Sequence, residues 1–308
     1  MAYAMSNGFK QAELLVFEKN FIRVAQQTDS KLLGTPAIHH IDIKGISNMS
    51  TIDSVELTEV TNLGSNPDKQ YTEMSARNRK SIQRRFTKTY LFDDYDKCVN
   101  LITDPESDLF RNLKDAKNRM ADRCIADSAI APVIIGGPQE AGTSYTAQQD
   151  GVITIAGTTA FNYATVISPA ITTFENNYID CSNGVTLAIS ANEEQALRDD
   201  DKYMNALYSS NNTVDKGKIT NASGFNVVTF AGSKNGGQTI ANPVLKEEEG
   251  TRTNLLLAPD SIAFALEIGR LDCTKSATKV NSYEVTIDMW VKSVRREGKR
   301  VIAITSTI

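Results

Sequence analysis

The sequence is short of the residues that enzymes use most. Histidine occurs twice in 308 residues, as the adjacent pair His39 and His40. The pair falls in a stretch that reads as a strand. Neighbouring strand residues point to opposite faces, so the two rings do not easily share one metal ion or act together as a base. Cysteine occurs four times, at Cys98, Cys124, Cys181 and Cys273. The spacing contains no C-x-x-C and no Cys/His zinc pattern, and predicts reduced thiols in a protein made in a cytoplasm. Also absent are G-x-S-x-G, G-x-x-x-x-G-K-[ST], H-E-x-x-H and G-x-G-x-x-G, which removes the usual support for hydrolase, kinase and dehydrogenase activity. No apolar run is long enough to span a membrane: the best stretch, 151–174, is broken by Thr, Asn, Gly and Pro. The first residues lack the basic and apolar regions of a secretory signal. The net charge of -4 argues against nucleic-acid binding through overall charge, though not against a local basic patch.

What remains is an ordinary soluble composition, 41% hydrophobic and 23% charged, in a chain long enough for one large or two smaller domains. Residues 9–27 read as a helix with an apolar stripe through Leu14, Phe17, Phe21 and Val24. Such a stripe needs a covering surface, either in its own core or on a neighbouring subunit. Residues 36–43 suggest a short strand. Residues 45–80 hold few large apolar residues and a turn cluster at 62–68, and predict two strands flanking a protruding loop. A two-stranded element of this kind is marginal alone. Its ordering entropy, roughly 1–2 kcal/mol per residue, is expected to be offset by contacts in an assembly.

A strand at 84–92 leads into an acidic turn with Asp93, Asp94 and Asp96. The strongest element follows, a helix over 105–130. Asp104 suits its N-cap, Pro105 its first position, and Glu106 and Asp108 its first turn. Leu109, Leu113, Ala116, Met120 and Cys124 share one face; Arg111, Asp115, Asn118 and Asp122 share the other. Further on, 139–180 is rich in Gly, Thr and Ala, and 159–178 fits helix or strand equally. Strands are predicted at 185–189, 227–230 and 253–257. A capping box from Ser190 to Glu193 opens a helix to about 199. A short helix is expected over 201–208, a turn at 233–237, and a helix or strand at 261–268. Alternation from Tyr283 to Val291, a turn at 295–298 and a return at 301–304 predict a C-terminal hairpin. The fold class is α+β.

Three features carry possible chemistry. Asp94-Tyr95-Asp96 matches the D-x-D of metal-dependent sugar transferases, but so short a pattern reads first as a solvated acidic turn. Ser276-Ala277-Thr278-Lys279 matches S-x-x-K without the companion motifs of serine acylases. Arg77, Arg79, Lys80, Arg84, Arg85 and Lys88 form a basic run within twelve residues. With only Phe86 as an aromatic inside it, a nucleic-acid patch is less suited than a solvated strand face or an intersubunit ionic contact. The intersubunit reading is preferred, with Asp93, Asp94 and Asp96 of a neighbour as partners.

The run from Arg84 through Phe86, Tyr90, Phe92, Asp93-Asp94-Tyr95-Asp96-Lys97 to Asp104-Pro105 resembles one branch of tailed-bacteriophage major capsid proteins with the Hong Kong 97-type fold. There a basic strand leads to a D-D-x-D-K turn, a D-P helix start and a long helix, here with Asn118-Arg119-Met120-Ala121-Asp122. The motif match covers residues 84–122; the order of elements matches along nearly the whole chain. The resemblance implies an N-terminal arm at 1–35 and an extended loop (E-loop) at 36–83. It also implies a peripheral (P) domain with a spine helix at 84–132, an axial (A) domain at 133–272, and strands returning to the P-domain at 273–308. It implies a structural subunit without cofactor or metal, building hexamers and pentamers of an icosahedral shell. Scaffolding, portal and decoration proteins are further partners, and packaged DNA is met only non-specifically. No fused scaffolding segment is apparent before the arm, which suggests a separate scaffold or none. Assembly is expected in the host bacterial cytoplasm, and the product is the virion. Intersubunit contact candidates are Phe17, Phe21, Arg77, Arg79, Arg84, Arg85, Asp93, Asp94 and Asp96. Within the same fold, an encapsulin-type nanocompartment shell is the alternative, though the D-D-x-D-K turn favours the phage branch. From other classes come a metal-dependent transferase using Asp94 and Asp96, and another virion component such as a tail or decoration protein.

Overall fold

The structure, a computed structural model, describes residues 26–41, 49–55, 76–93, 105–136, 141–157, 161–181, 184–201, 214–215, 218–219, 221–222, 225–232, 234–235, 238–239, 243–248 and 250–307. The arm stripe with Phe17 and Phe21, the loop tip at 56–75, the acidic residues Asp94 and Asp96, the Asp104 cap and the helix beyond residue 201 lie outside them. Two units divide the described chain: 31–83, 121–265 and 292–307 form the larger, and 26–30, 84–120 and 266–291 the smaller.

In chain order the elements open with β1 (Ile38–His40), β2 (Met49–Val55), β3 (Ala76–Asp93) and α1 (Pro105–Ile130). Next come β4 (Val133–Ile135), β5 (Thr143–Tyr145), β6 (Ile153–Ala156) and α2 (Ser168–Asn176), the last entered through a π turn at Tyr163–Ile167. β7 (Thr186–Ser190), α3 (Ala191–Arg198), and the small hairpin of β8 (Val214–Asp215) with β9 (Lys218–Ile219) follow. Then come β10 (Asn221–Ala222), β11 (Phe225–Phe230), and a second small hairpin of β12 (Lys234–Asn235) with β13 (Gln238–Thr239). β14 (Glu247–Glu248), β15 (Thr251–Leu257), β16 (Ile262–Lys275), β17 (Ser282–Arg295) and β18 (Val301–Thr307) complete the chain.

The larger unit is built on a sheet of order β10-β11-β7-β15-β18-β6. β7 is buried at every position, which is why its sequence TLAIS does not alternate between apolar and polar. β7 and β11 run parallel and need a crossover, which α3 begins. Ser190 caps α3 as its sequence predicts: the hydroxyl accepts from the Asn192 N–H at 3.3 Å. β15 is antiparallel to both β7 and β18, and β18 is parallel to β6. One core joins Val166, Ile167 and Phe174 to Leu187, Ile189, Phe225, Leu256, Ile302 and Ile304. Each such side chain contributes about 1.5–3 kcal/mol on burial. The undecided stretch 159–178 is therefore helix from the π turn onward. Its Asn162 side chain accepts from the Thr165 N–H at 2.9 Å, and Pro169, with no N–H to give, sits in the first turn of α2.

Also in the larger unit, β2 pairs antiparallel with residues 76–82 of β3, as the loop reading expects. β4 pairs with β3 and with β5. The first three residues of β16 lie parallel to β1. Residues 261–268, read as helix or strand, are strand from Ile262.

The predicted C-terminal hairpin is not formed. β17 neighbours β16 and β3, whereas β18 is taken up between β15 and β6 in the other sheet. A 3₁₀ turn at Gly298–Arg300 redirects the chain. A Cβ on Gly298 would come within 2.0 Å of the Asp150 carbonyl oxygen, so the redirecting loop closes only with glycine there.

In the smaller unit, Leu113 of α1 packs with Val285 and Ile287 of β17, edged by Tyr90, Leu109, Phe110 and Cys273. The polar side of α1 is covered in part, though Arg111 stays exposed. Asp115 is buried and accepts from Gln26 Nε2 at 3.1 Å, and Arg119 donates to the Gln26 side chain at 2.8 Å. Asn118 donates to the Thr28 carbonyl at 2.6 Å. In the larger unit Asp122, fully buried, accepts the backbone N–H groups of Lys31 and Leu32, each at 3.0 Å. Residues 26–28 and 31–32 thus cover polar helix positions by hydrogen bonding. Residues 26 and 27, assigned to the arm helix by periodicity, are not helical. No helix among the described residues is long and apolar enough to cross a membrane.

Leu113 is fully buried and Met120 only half-buried. Leu113→Asp buries a charge with no partner, which costs several kcal/mol, while Met120→Asp costs less. Expression of both variants is expected to give insoluble Leu113→Asp and a larger soluble fraction of Met120→Asp. Equal solubility contradicts the packing of α1 against β17.

Candidate assembly surface and buried ion pairs

The basic run of β3 separates into two environments. Arg79 and Lys80 are buried, in the larger unit; Arg84, Arg85 and Lys88 are exposed, in the smaller. Arg77 lies opposite Ser54 in the β2–β3 ladder, and Asp93 is the last residue of β3.

Arg79 does not serve as a surface contact. Its guanidinium meets the Asp150 carboxylate through two contacts of 2.7 Å, with side-chain exposures of 4% and 1%. Arg295 reaches the same carboxylate from the end of β17, Nε to Oδ2 at 2.8 Å. Its Nη1 donates to the carbonyls of Ala129 and Ala131 at 2.7 and 3.1 Å, at the C-terminal end of α1. A cation at that end satisfies carbonyls that have no helical partner and opposes the helix dipole. Burial draws the Arg295 guanidinium below its ordinary range; Asp150 counters this and Arg79 adds to it. Taking Arg79 as an intersubunit candidate is therefore corrected: it is removed from water, and its partners, the Asp150 carboxylate and the Arg295 carbonyl at 3.5 Å, are both internal.

Arg252 of β15 forms a second buried network. It donates to Glu193 at 3.0 Å, to Ser190 Oγ at 2.7 Å and to Glu247 at 2.6 Å. Ser306 of β18 also donates to Glu193. Gly232 lies so close that a Cβ there would be 2.3 Å from Arg252 Nη2. Burial alone raises the Glu193 carboxyl, but Ser190, Ser306 and Arg252 outweigh it and hold the group below the usual carboxylate range.

On the exposed stretch of β3, Arg85 Nε donates to Asp288 of β17 at 2.9 Å. The Arg85 hydrogen bond holds the Asp288 carboxyl below its ordinary range. The Arg85 side chain stays 66% exposed, while Arg84 and Lys88, on the other face of the strand, are exposed as well. Lys88 lies over the Tyr90 ring, 5.6 Å from its centroid.

The S-x-x-K match resolves into a structural role. Ser276 Oγ accepts from the Thr278 and Lys279 backbone N–H groups at 3.3 and 3.2 Å and donates to Glu284, forming a turn and not a nucleophile–base pair. His39 and His40 are exposed on β1; His39 stands 3.5 Å from Asp260. Cys124, Cys181 and Cys273 are free thiols, and burial foremost, then Glu175 and Asp180, push Cys181 up to about 11. Among the described residues no three His, Cys, Asp or Glu side chains are grouped to hold a metal ion. Asp150, Glu193, Arg252, Asp288 and Arg295 carry the electrostatics, and sequence reasoning singled out none of them as a site.

Glu193 gives a pH test. Its folded pKa is lowered, so its stabilisation is present above the unfolded value of about 4.3 and is lost as pH falls through the folded value. Glu193→Gln is expected to lower stability by about 1.5–3 kcal/mol at pH 7 and to flatten the acid limb of a Tm-against-pH curve. An unchanged acid limb contradicts the role given to Glu193.

The family model described as phage capsid protein matches residues 5–308. No curated protein matches. Among solved structures, the capsid of the cyanophage P-SCSP1u has a TM-score of 0.66 at 11% identity, covering 95% of this chain and 92% of that one. The head structure of Helicobacter pylori bacteriophage KHP40 has a TM-score of 0.66 at 12% identity, covering 93% and 94%. The acid-stable capsid of Helicobacter pylori bacteriophage KHP30 has a TM-score of 0.63 at 10% identity, covering 100% and 99%. Identities this low carry the fold alone. The match over residues 5–308 decides the family: the chain belongs to the phage capsid proteins.

Proposed function

We infer that the chain is the major capsid protein of a tailed bacteriophage, which assembles with copies of itself into the shell around the genome. The observation that carries this is the family match over residues 5–308, supported by a fold shared end to end with phage capsids. Its role is structural and not catalytic; the buried charges are spent on holding strands and helix ends. Its place is the virion, assembled in the host bacterial cytoplasm. The alternatives of a nanocompartment shell or a D-x-D transferase have no observation in their favour.

The finer reading keeps the Hong Kong 97-type division: arm, E-loop, P-domain with α1 as spine, and A-domain. The pairing of β2 with β3 supports an E-loop hairpin. Arg84, Arg85 and Asp93 remain contact candidates on β3, and Arg77, Phe17, Phe21, Asp94 and Asp96 stand with them on the resemblance. Scaffolding, portal and decoration proteins are the further partners in this reading, with DNA met non-specifically.

Electron microscopy of the expressed protein, with any cognate scaffold, is expected to show closed shells or sheets of hexamers and pentamers, since heterologous contacts must close to give a finite particle. A reconstruction would place residues 45–80 against a neighbouring copy. Strictly monomeric protein at high concentration with scaffold present contradicts the reading.

A further inference from the structure

Tyr178 occupies a position that chain geometry favours for glycine. It follows the C-cap of α2 with a φ of 58°, in the left-handed region. Its N–H donates to the Glu175 carbonyl at 3.0 Å, and the Ile179 N–H donates to the Phe174 carbonyl at 2.9 Å, so this residue closes the helix. Any Cβ is disfavoured there, and a bulky side chain is a marked exception. Elsewhere the described residues follow the rule. Among them Gly142, Gly151, Gly184 and Gly250 take left-handed positions, and the other two non-glycine cases are Asp260 and Asn281, types that tolerate the conformation.

An aromatic residue can offset such strain by packing, but Tyr178 is 89% exposed. Among the described residues the ring is thus left largely in water. Strain held without local compensation marks functional positions. Exposed tyrosine is also a favoured interface anchor, because a large rigid surface is buried at little entropy cost. Glu175 and Asp180 are both exposed on either side of it and make its rim acidic. The complement is carried by the same chain: Arg84 and Lys88 are exposed on β3, and the Arg85 side chain is largely so.

We propose that Tyr178 anchors contact between copies of this chain in the shell, its ring and acidic rim docking on the exposed Arg84–Lys88 stretch of a neighbour. The proposal rests on the shell reading above. Two different surfaces meet in it, which is the heterologous geometry that rings of subunits require. A cation against the tyrosine face adds attraction.

The test uses the full chain, assembled with whatever scaffold the wild type needs, with three variants. Tyr178→Asn relieves the backbone and removes the ring. It is expected to raise the protein concentration required for assembly by at least about tenfold, and to leave the Tm of unassembled subunits unchanged or raised by about 1–4 °C. Tyr178→Phe keeps the ring and is expected to assemble near the wild-type concentration. Arg84→Glu combined with Lys88→Glu is expected to reproduce the Asn defect. Assembly of Tyr178→Asn at the wild-type concentration overturns the proposal, as does a clear fall in its subunit Tm, which would make the ring structural. Wild-type assembly by the double variant overturns the partner face. A wild-type chain that forms no shell contradicts the parent reading instead, so the two failures are distinct.

Discussion

Two buried arginines share one buried carboxylate in the larger unit. Asp150 sits in a turn, Arg79 in β3 and Arg295 at the end of β17. Ionised groups are taken out of water only when paired and hydrogen-bonded, and removing one partner of a buried pair costs about 3–5 kcal/mol. Arg295 also holds the last carbonyls of α1. Gly298 brings the following turn against the Asp150 backbone, after which β18 enters the second sheet. The direction of the chain after β17 therefore depends on this carboxylate. So does the placement of β18, whose Val301, Ile302 and Ile304 are buried.

That dependence explains which parts were legible in the sequence. α1 was readable because its signals are local: a proline in the first turn, acids after it and a periodic apolar stripe. β17 was readable by its alternation. The return through β18 was misread because Arg295-Arg296-Glu297-Gly298 looks like a hairpin turn, while strand partners are chosen by long-range packing. The partners of the polar face of α1 were not legible for a related reason. Asp115 and Asp122 look like solvated positions by periodicity, and only the fold brings residues 26–28 and 31–32 to them.

The site shows the same division. Six cations in one run suggest a single surface, yet the strand takes Arg79 and Lys80 inside and leaves Arg84, Arg85 and Lys88 outside. Nothing near Asp150 in the sequence announces two arginine partners 71 and 145 residues away. The separation suits a shell subunit. Charge that is buried fixes the subunit's own geometry. Charge that stays exposed on β3 contributes little to the subunit's own stability.

The most direct test is the thermal unfolding of Asp150→Asn against wild type at pH 7. With both arginines left without their counter-charge, the account predicts a loss of about 3–5 kcal/mol, a Tm lower by roughly 6–20 °C. A Tm within about 1 °C of wild type would contradict the claim that this carboxylate holds β3, β17 and the end of α1 together.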